Sequence, residues 1–307
     1  MAQTTTNILT PEKKKKLRSK EWRMNHLYKI VDKHGELVRF KMNYEQSVLL
    51  ERYTKKKKYE IGLREFILKD RQIGITTFHI LYYLDEVIFN KNKTAAIIAH
   101  EKESLELIFR KAKVALDNMP DYLRPTTKID NKSEILFSSL NSMIRVALKV
   151  RSGTYNYLHV SEIARVREYN ELLAGSFSTV PMDGDITCES TGNGLNDFYK
   201  SWHKNKESSV WSNHFFSWLE HLEYRSDIKK TRVDHDDYLG DITDEQKNWW
   251  YLKLEEHSND FGLMKQEFPL TEEDAFLHTG KGIFTDELED IESIEPEEKE
   301  SNFYVFS

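Results

Sequence analysis

Residues 64–90, REFILKDRQIGITTFHILYYLDEVIFN, constrain this chain more than any other stretch. REFILKD (64–70) is an apolar run of strand length, and it passes directly into a glycine loop. TTFHILYYLDEVIFN (76–90) then takes up helical periodicity. In this context, successive backbone N–H groups and a helix N-terminus can cradle phosphates. Within KDRQIGITT (69–77), Gly74 gives the turn, and Gln72 lies among the loop amides. Thr76 is the candidate Mg²⁺ ligand and Thr77 a candidate contact to an α-phosphate. The position just before the threonines, where such a loop normally carries its lysine, holds Ile75. Lys69, at the loop's start, is placed to fold back toward the phosphates instead, with Arg71 as a second cation.

Further along, KTAAIIAH (93–100) reads as a second apolar strand, followed by a helical stretch over 103–119. Residues 133–140 and 142–149 read as a hairpin turned at Asn141. TYNYLHVSEIARV (154–166) contains a strand ending in Ser161-Glu162, and DGDITCESTGNG (183–194) is a strand closing on a glycine-rich turn. Strands alternating with helices predict an α/β fold of the P-loop NTPase class, with a mainly parallel central sheet flanked by helices. Residues 11–60 read as helical and polar, with an amphipathic pattern from Asn43 onward. From about residue 205 the chain turns aromatic, with a smaller, mostly helical subdomain expected. The tryptophans at 202, 211, 218, 249 and 250 are read as packing residues.

Charge leaves the partner open. The net charge is −6, but residues 286–300 hold nine acids and one lysine, so residues 1–285 sit near +2. Lysine runs at 13–16 and 55–58 read as solvated faces, with phosphate-backbone contact the alternative. The single cysteine, Cys188, excludes an internal disulfide framework and a cysteine-rich zinc site, and reads as a buried strand thiol in a reducing cytoplasm. No run approaches the ~18 apolar residues of a membrane span, and the N-terminus lacks the apolar core of a secretory signal.

Two further motifs bear on the loop. An apolar strand ending in acids at the carboxyl edge of an open sheet lies where ligands bind, and Tyr157 to Val160 leads into Ser161-Glu162. Glu162 is the candidate general base for an attacking water. Ser161 stands where an aspartate usually supports Mg²⁺, and can at most hold a metal-bound water. Thr76, Ser161 and Glu162 are thus the candidate metal-side residues. A helix-capping Ser-Glu is the alternative. In CESTGNG (188–194), Thr191 and Asn193 carry groups suited to sensing a γ-phosphate; a plain glycine turn is the alternative.

KDRQIGITT, LHVSEIA, ESTGNG and QEFPLTEEDAFLHTGKGIF (266–284), in this order and spacing, resemble the ATPase domain of tailed-phage terminase large subunits. The resemblance spans roughly residues 40–285. It implies a deviant phosphate loop with Lys69 as its lysine, so Ile75 marks a variant site. It implies adenine recognition through residues 40–46, with Gln46 at the base edge. It also implies an arginine acting on a nucleotide, either Arg151 offered to a neighbouring subunit or Arg71 in cis. The domain plan it implies is an N-terminal helical extension (1–39), an ATPase core (40–204), a lid and linker subdomain (205–285) and an acidic linker (286–307). ATP and Mg²⁺ are the implied cofactors. The implied partners are double-stranded DNA, a portal protein, a small terminase subunit and further copies in a ring of five, in the host cytoplasm and without a membrane. In the family the first nuclease strand follows the acidic linker and ends near a catalytic aspartate; NFYVFS (302–307) reads as an alternating strand that stops before it, so no nuclease activity is expected of this chain. A helicase-like ATPase acting as a monomer and a non-hydrolysing assembly factor are the rival readings. They predict, respectively, stimulation by single strands and ATP binding without turnover.

Overall fold

The computed structural model describes residues 9–59, 61–229 and 232–276. The acidic segment, NFYVFS and the GKGIF end of the closing motif lie outside them. Helices α1 (Pro11–Arg18) and α2 (Lys20–His26) lead into a hairpin, β1 (Lys29–Val31) and β2 (Leu37–Arg39), and then α3 (Tyr44–Lys57). The core continues through β3 (Arg64–Lys69), α4 (Ile75–Phe89), β4 (Thr94–Ile98), α5 (Lys102–Asp117), β5 (Thr127–Asp130), β6 (Glu134–Phe137) and β7 (Ser142–Ala147). It ends with β8 (Tyr157–Ser161), the one-turn α6 (Tyr169–Glu171), β9 (Asp185–Ser190), α7 (Asp197–Asn205) and β10 (Ser212–Phe216). Then come α8 (Asp236–Leu239), α9 (Asp244–Glu256), α10 (Phe261–Glu267) and α11 (Glu272–Ala275).

Among the described residues, one eight-stranded sheet runs in the order β10-β3-β9-β8-β4-β7-β6-β5. β10 through β7 are parallel, and β6 and β5 are antiparallel additions at one edge. Every residue of β3, β8 and β9 is buried, the mark of parallel strands covered on both faces. Alternation along each strand divides the core. Ile67, Ala95 and Ile97 face one apolar cluster with α3, α4 and α5, while Phe66, Leu68, Ala96 and Ile98 face a second with α7 and the end of the closing segment. A third cluster, built on Trp218, Trp249, Trp250 and Phe268, joins α8, α9 and α10. The tryptophans are packing residues, as the sequence suggests; Trp211 stacks on Phe66.

Three differences from the sequence reading have local causes. The stretch read as helical over 11–60 is broken by the β1–β2 hairpin, whose turn is built by Gly35 at φ +83° and by Asp32, which accepts from the His34 and Glu36 amides. β5 pairs with β6 outside the expected hairpin. β10, inside the segment read as mostly helical, adds to the sheet beside β3, where Phe216 enters the first apolar cluster. The lysine runs also divide. Lys13 to Lys16 are exposed on α1, whereas Lys56 pairs with buried Glu65 and Lys57 with buried Asp185. No described helix is long and apolar enough to cross a membrane.

Candidate nucleotide site

Parallel strands bring their carboxyl ends to one edge of the sheet, and β3, β8 and β9 are adjacent there. The loop after β3 turns through Gln72 and Gly74, both left-handed at φ +66° and +76°. Gly74 precedes α4, whose first turn has no side-chain cap, so its amides face outward as donors. The left-handed φ favours glycine here, and a Cβ on Gly74 would stand 2.7 Å from the side-chain end of Gln46, Nε2.

Lys69 is buried, and its Nζ lies 3.3 Å from Glu162 Oε1 and 3.2 Å from Glu189 Oε2. These carboxylates hold its ammonium far above the usual lysine range despite desolvation. Glu162 follows the last residue of β8 in the left-handed region, at φ 53° and ψ 49°, a conformation that costs a non-glycine residue and clusters at functional sites. Its Oε2 accepts from Ser190 Oγ at 3.2 Å. Glu189, on β9, has no solvent exposure. One of its oxygens accepts from Thr76 Oγ1 at 2.5 Å and from Ser161 Oγ at 2.8 Å. Burial pushes its carboxyl up, but Lys69 and the two hydroxyls outweigh this and hold it below the usual range. Beneath it, His159 and His79 stack at 4.3 Å, and burial drives both toward the neutral form, His159 down to about 3.

The fold thus gathers Lys69, Gly74, Thr76, Ser161 and Glu162 in one place. Thr77 Oγ1 accepts from Lys111 Nζ of α5 at 3.0 Å. Thr191 keeps a buried hydroxyl with no hydrogen-bond partner among the described residues, and Asn193 donates to the Ala164 carbonyl just after Glu162. Gln46 donates to the Gly74 carbonyl at 2.9 Å while closing a capping box with Asn43, so it braces the loop. Arg71 is tied to the closing segment: its guanidinium meets Glu267 at 2.6 Å, its amide donates to the Glu267 carbonyl, and Tyr224 donates to its own carbonyl. Arg151 stands on the surface, paired with Glu171. The glycine turn also meets the closing segment: Gln266 donates to the Gly192 carbonyl, and a Cβ at Gly192 would stand 1.5 Å from the Ala275 carbonyl oxygen.

Two residues escape the sequence reading, Glu189 and Lys111. Glu189 had a signal, since it is an acid near the carboxyl end of a strand that closes on a glycine turn. Lys111 had none, because many lysines on an amphipathic helix look alike.

No family model matches the chain. Among solved structures, it is similar to the large terminase ATPase domain of Thermus phage P74-26, with TM-score 0.53 and 15% identity over 75% of this chain and 93% of that one. It is also similar to the HK97 bacteriophage large terminase, with TM-score 0.56 and 13% identity over 80% of this chain and 53% of that one. The chain has the fold of a phage large terminase ATPase domain. It spans about half of the HK97 large terminase, which is longer. The mainly parallel sheet flanked by helices is the terminase ATPase architecture, and the cluster described above stands at its carboxyl edge.

Proposed function

We propose that this chain is the ATP-hydrolysing motor module of a phage DNA-packaging terminase, translocating double-stranded DNA through a portal into a procapsid. One observation carries the reading. Lys69 and Glu162, 93 residues apart in sequence, meet within 3.3 Å beside the open N-terminus of a 15-residue helix. A cation, loop amides and a carboxylate at one point are what phosphoryl transfer to water needs, since catalysis there is mostly positioning and charge stabilisation.

In this reading the amides of residues 72–76 and Lys69 hold the phosphates, and Lys111 stands beside Thr77 as a further cation. The donors fit a Mg²⁺-nucleotide. Among the described residues no three His, Cys, Asp or Glu side chains form a metal cage, and Mg²⁺ is typically held by one or two carboxylates plus phosphates and water. Bound there, Mg²⁺ would neutralise phosphate charge. Glu162 accepts a proton from the attacking water, with Ser190 Oγ fixing its second oxygen. Thr191 to Asn193 relay the loss of the γ-phosphate, because the same turn touches Ala164 behind Glu162 and Gln266 and Ala275 of the closing segment. Arg71 clamps that segment to the loop, and Gln46 lies against Gly74, where it reads the adenine edge. Arg151, exposed on the surface, is the arginine offered to the next subunit of a five-membered ring. The portal and small terminase subunit are the remaining partners, in the host cytoplasm during assembly. A ring also accommodates the modest basicity of residues 1–285, since several subunits share the phosphate contacts.

The test is Mg²⁺-dependent ATP hydrolysis with duplex or single-stranded DNA added. Stimulation by duplex above that by an equal mass of single strands is expected. The reverse order would favour a helicase-like ATPase.

A further inference from the structure

The strand that usually carries the magnesium-supporting carboxylate ends here in Ser161. A serine hydroxyl carries no charge, so the loop threonine lacks an anionic partner on its own motif. The structure supplies one from the neighbouring strand. Ser161 and Glu189 are register partners on parallel β8 and β9. Ile186 and Cys188 of β9 face the second apolar cluster, so Thr187 and Glu189 face α4, as the Tyr83–Thr187 hydroxyl contact shows. Serine at 161 leaves room for the longer glutamate side chain to extend across and accept from Ser161 and Thr76 through one oxygen.

We propose that Glu189 is the carboxylate that supports the nucleotide-bound divalent cation, the role having moved from the end of β8 to β9. This rests on the nucleotide-site reading above. Three observations favour it. Glu189 is completely buried, and a buried carboxylate is retained only with compensating partners. Its partners are the candidate metal ligand Thr76 and the phosphate-directed Lys69, both belonging to the loop. Its second oxygen faces the Lys69 ammonium at 3.2 Å, and among the described residues no other group partners it. Glu162, by contrast, lies past the strand end, fixed by Lys69 and Ser190, which leaves it to orient water. The two glutamates therefore divide the work, with Glu189 supporting the cation and Glu162 acting as base.

The experiment measures binding of a non-hydrolysable ATP analogue by calorimetry with Mn²⁺ or with EDTA, alongside Mn²⁺ binding by electron paramagnetic resonance. Wild type is expected to bind more tightly with Mn²⁺. Glu189→Gln is expected to lose about tenfold to a hundredfold of that enhancement, the usual cost of removing a group that supports a metal ligand, while keeping EDTA-state binding. Adding Ser161→Asp to Glu189→Gln is expected to restore it. If Glu189→Gln does not fold, Glu189→Asp, which keeps the charge but retracts it by one methylene, is expected to show the loss. Full enhancement in Glu189→Gln, or in Glu189→Asp if only that variant folds, would overturn the assignment while leaving the nucleotide site standing. Wild type that binds the analogue under neither condition would overturn the nucleotide site and this assignment together.

Discussion

Lys69→Met is expected to abolish ATP binding and to destabilise the chain by about 3–5 kcal/mol at neutral pH, the usual cost of breaking one side of a buried ion pair. Lys69 is the cation facing Glu189, which is fully buried, and Glu162, which is partly exposed. Methionine keeps the apolar stem and removes only the charge, leaving Glu189 with two neutral hydroxyls. The pH dependence identifies the cause. In wild type, Glu189 is held below its ordinary value, so its contribution is present above the unfolded pKa and is lost as pH falls through the folded one. In the variant, desolvation no longer meets Lys69 and raises the carboxyl above its unfolded value. The folded variant then binds a proton that the unfolded chain does not. It gains stability as pH falls through that raised pKa, fully so below the unfolded one. Denaturant unfolding should therefore show a wild-type-to-variant gap that narrows on acidification. A gap independent of pH would place the loss in packing instead.

Glu162→Gln is expected to lower kcat about 10²- to 10⁴-fold, or about 3–5 kcal/mol of barrier, with nucleotide binding retained. The left-handed backbone and the Ser190 hydroxyl fix the direction of this side chain. The amide keeps that shape, can still accept from Ser190, and cannot take a proton from water. Binding persists because Lys69, Thr76 and the loop amides are untouched. Equal losses of binding and turnover, measured by calorimetry and steady-state kinetics, would make Glu162 a structural partner of Lys69 and not the base.

Much of this was legible before any coordinates. β4 and the centres of β3 and β8 are short apolar runs, β9 is marked by the glycine turn that closes it, and α4 is largely apolar because most of it is buried. Lys69 and Glu162 could be paired because one ends a strand and the other follows one, parallel strands share a carboxyl edge, and Thr76 opens the helix after the loop. Tertiary context hid the rest. β10 reads poorly as a strand because Ser212 to His214 are polar, and only its pairing with β3 makes it one. Lys56 and Lys57 look like surface charge until Glu65 and Asp185 are seen beneath them. Glu189 sits inside a motif that was recognised, yet its role depends on facing Ser161 across two strands, which residue order cannot give. Arg71 looked like a phosphate ligand by position, and the fold holds it on Glu267.

The most direct test of the central claim is steady-state ATP hydrolysis by the wild-type chain with Mg²⁺ across a series of protein concentrations. Turnover is predicted, with specific activity rising with concentration as neighbouring copies bring Arg151 to one another's sites. ATP binding without turnover at every concentration, duplex DNA included, would contradict the account and leave a nucleotide-dependent assembly factor.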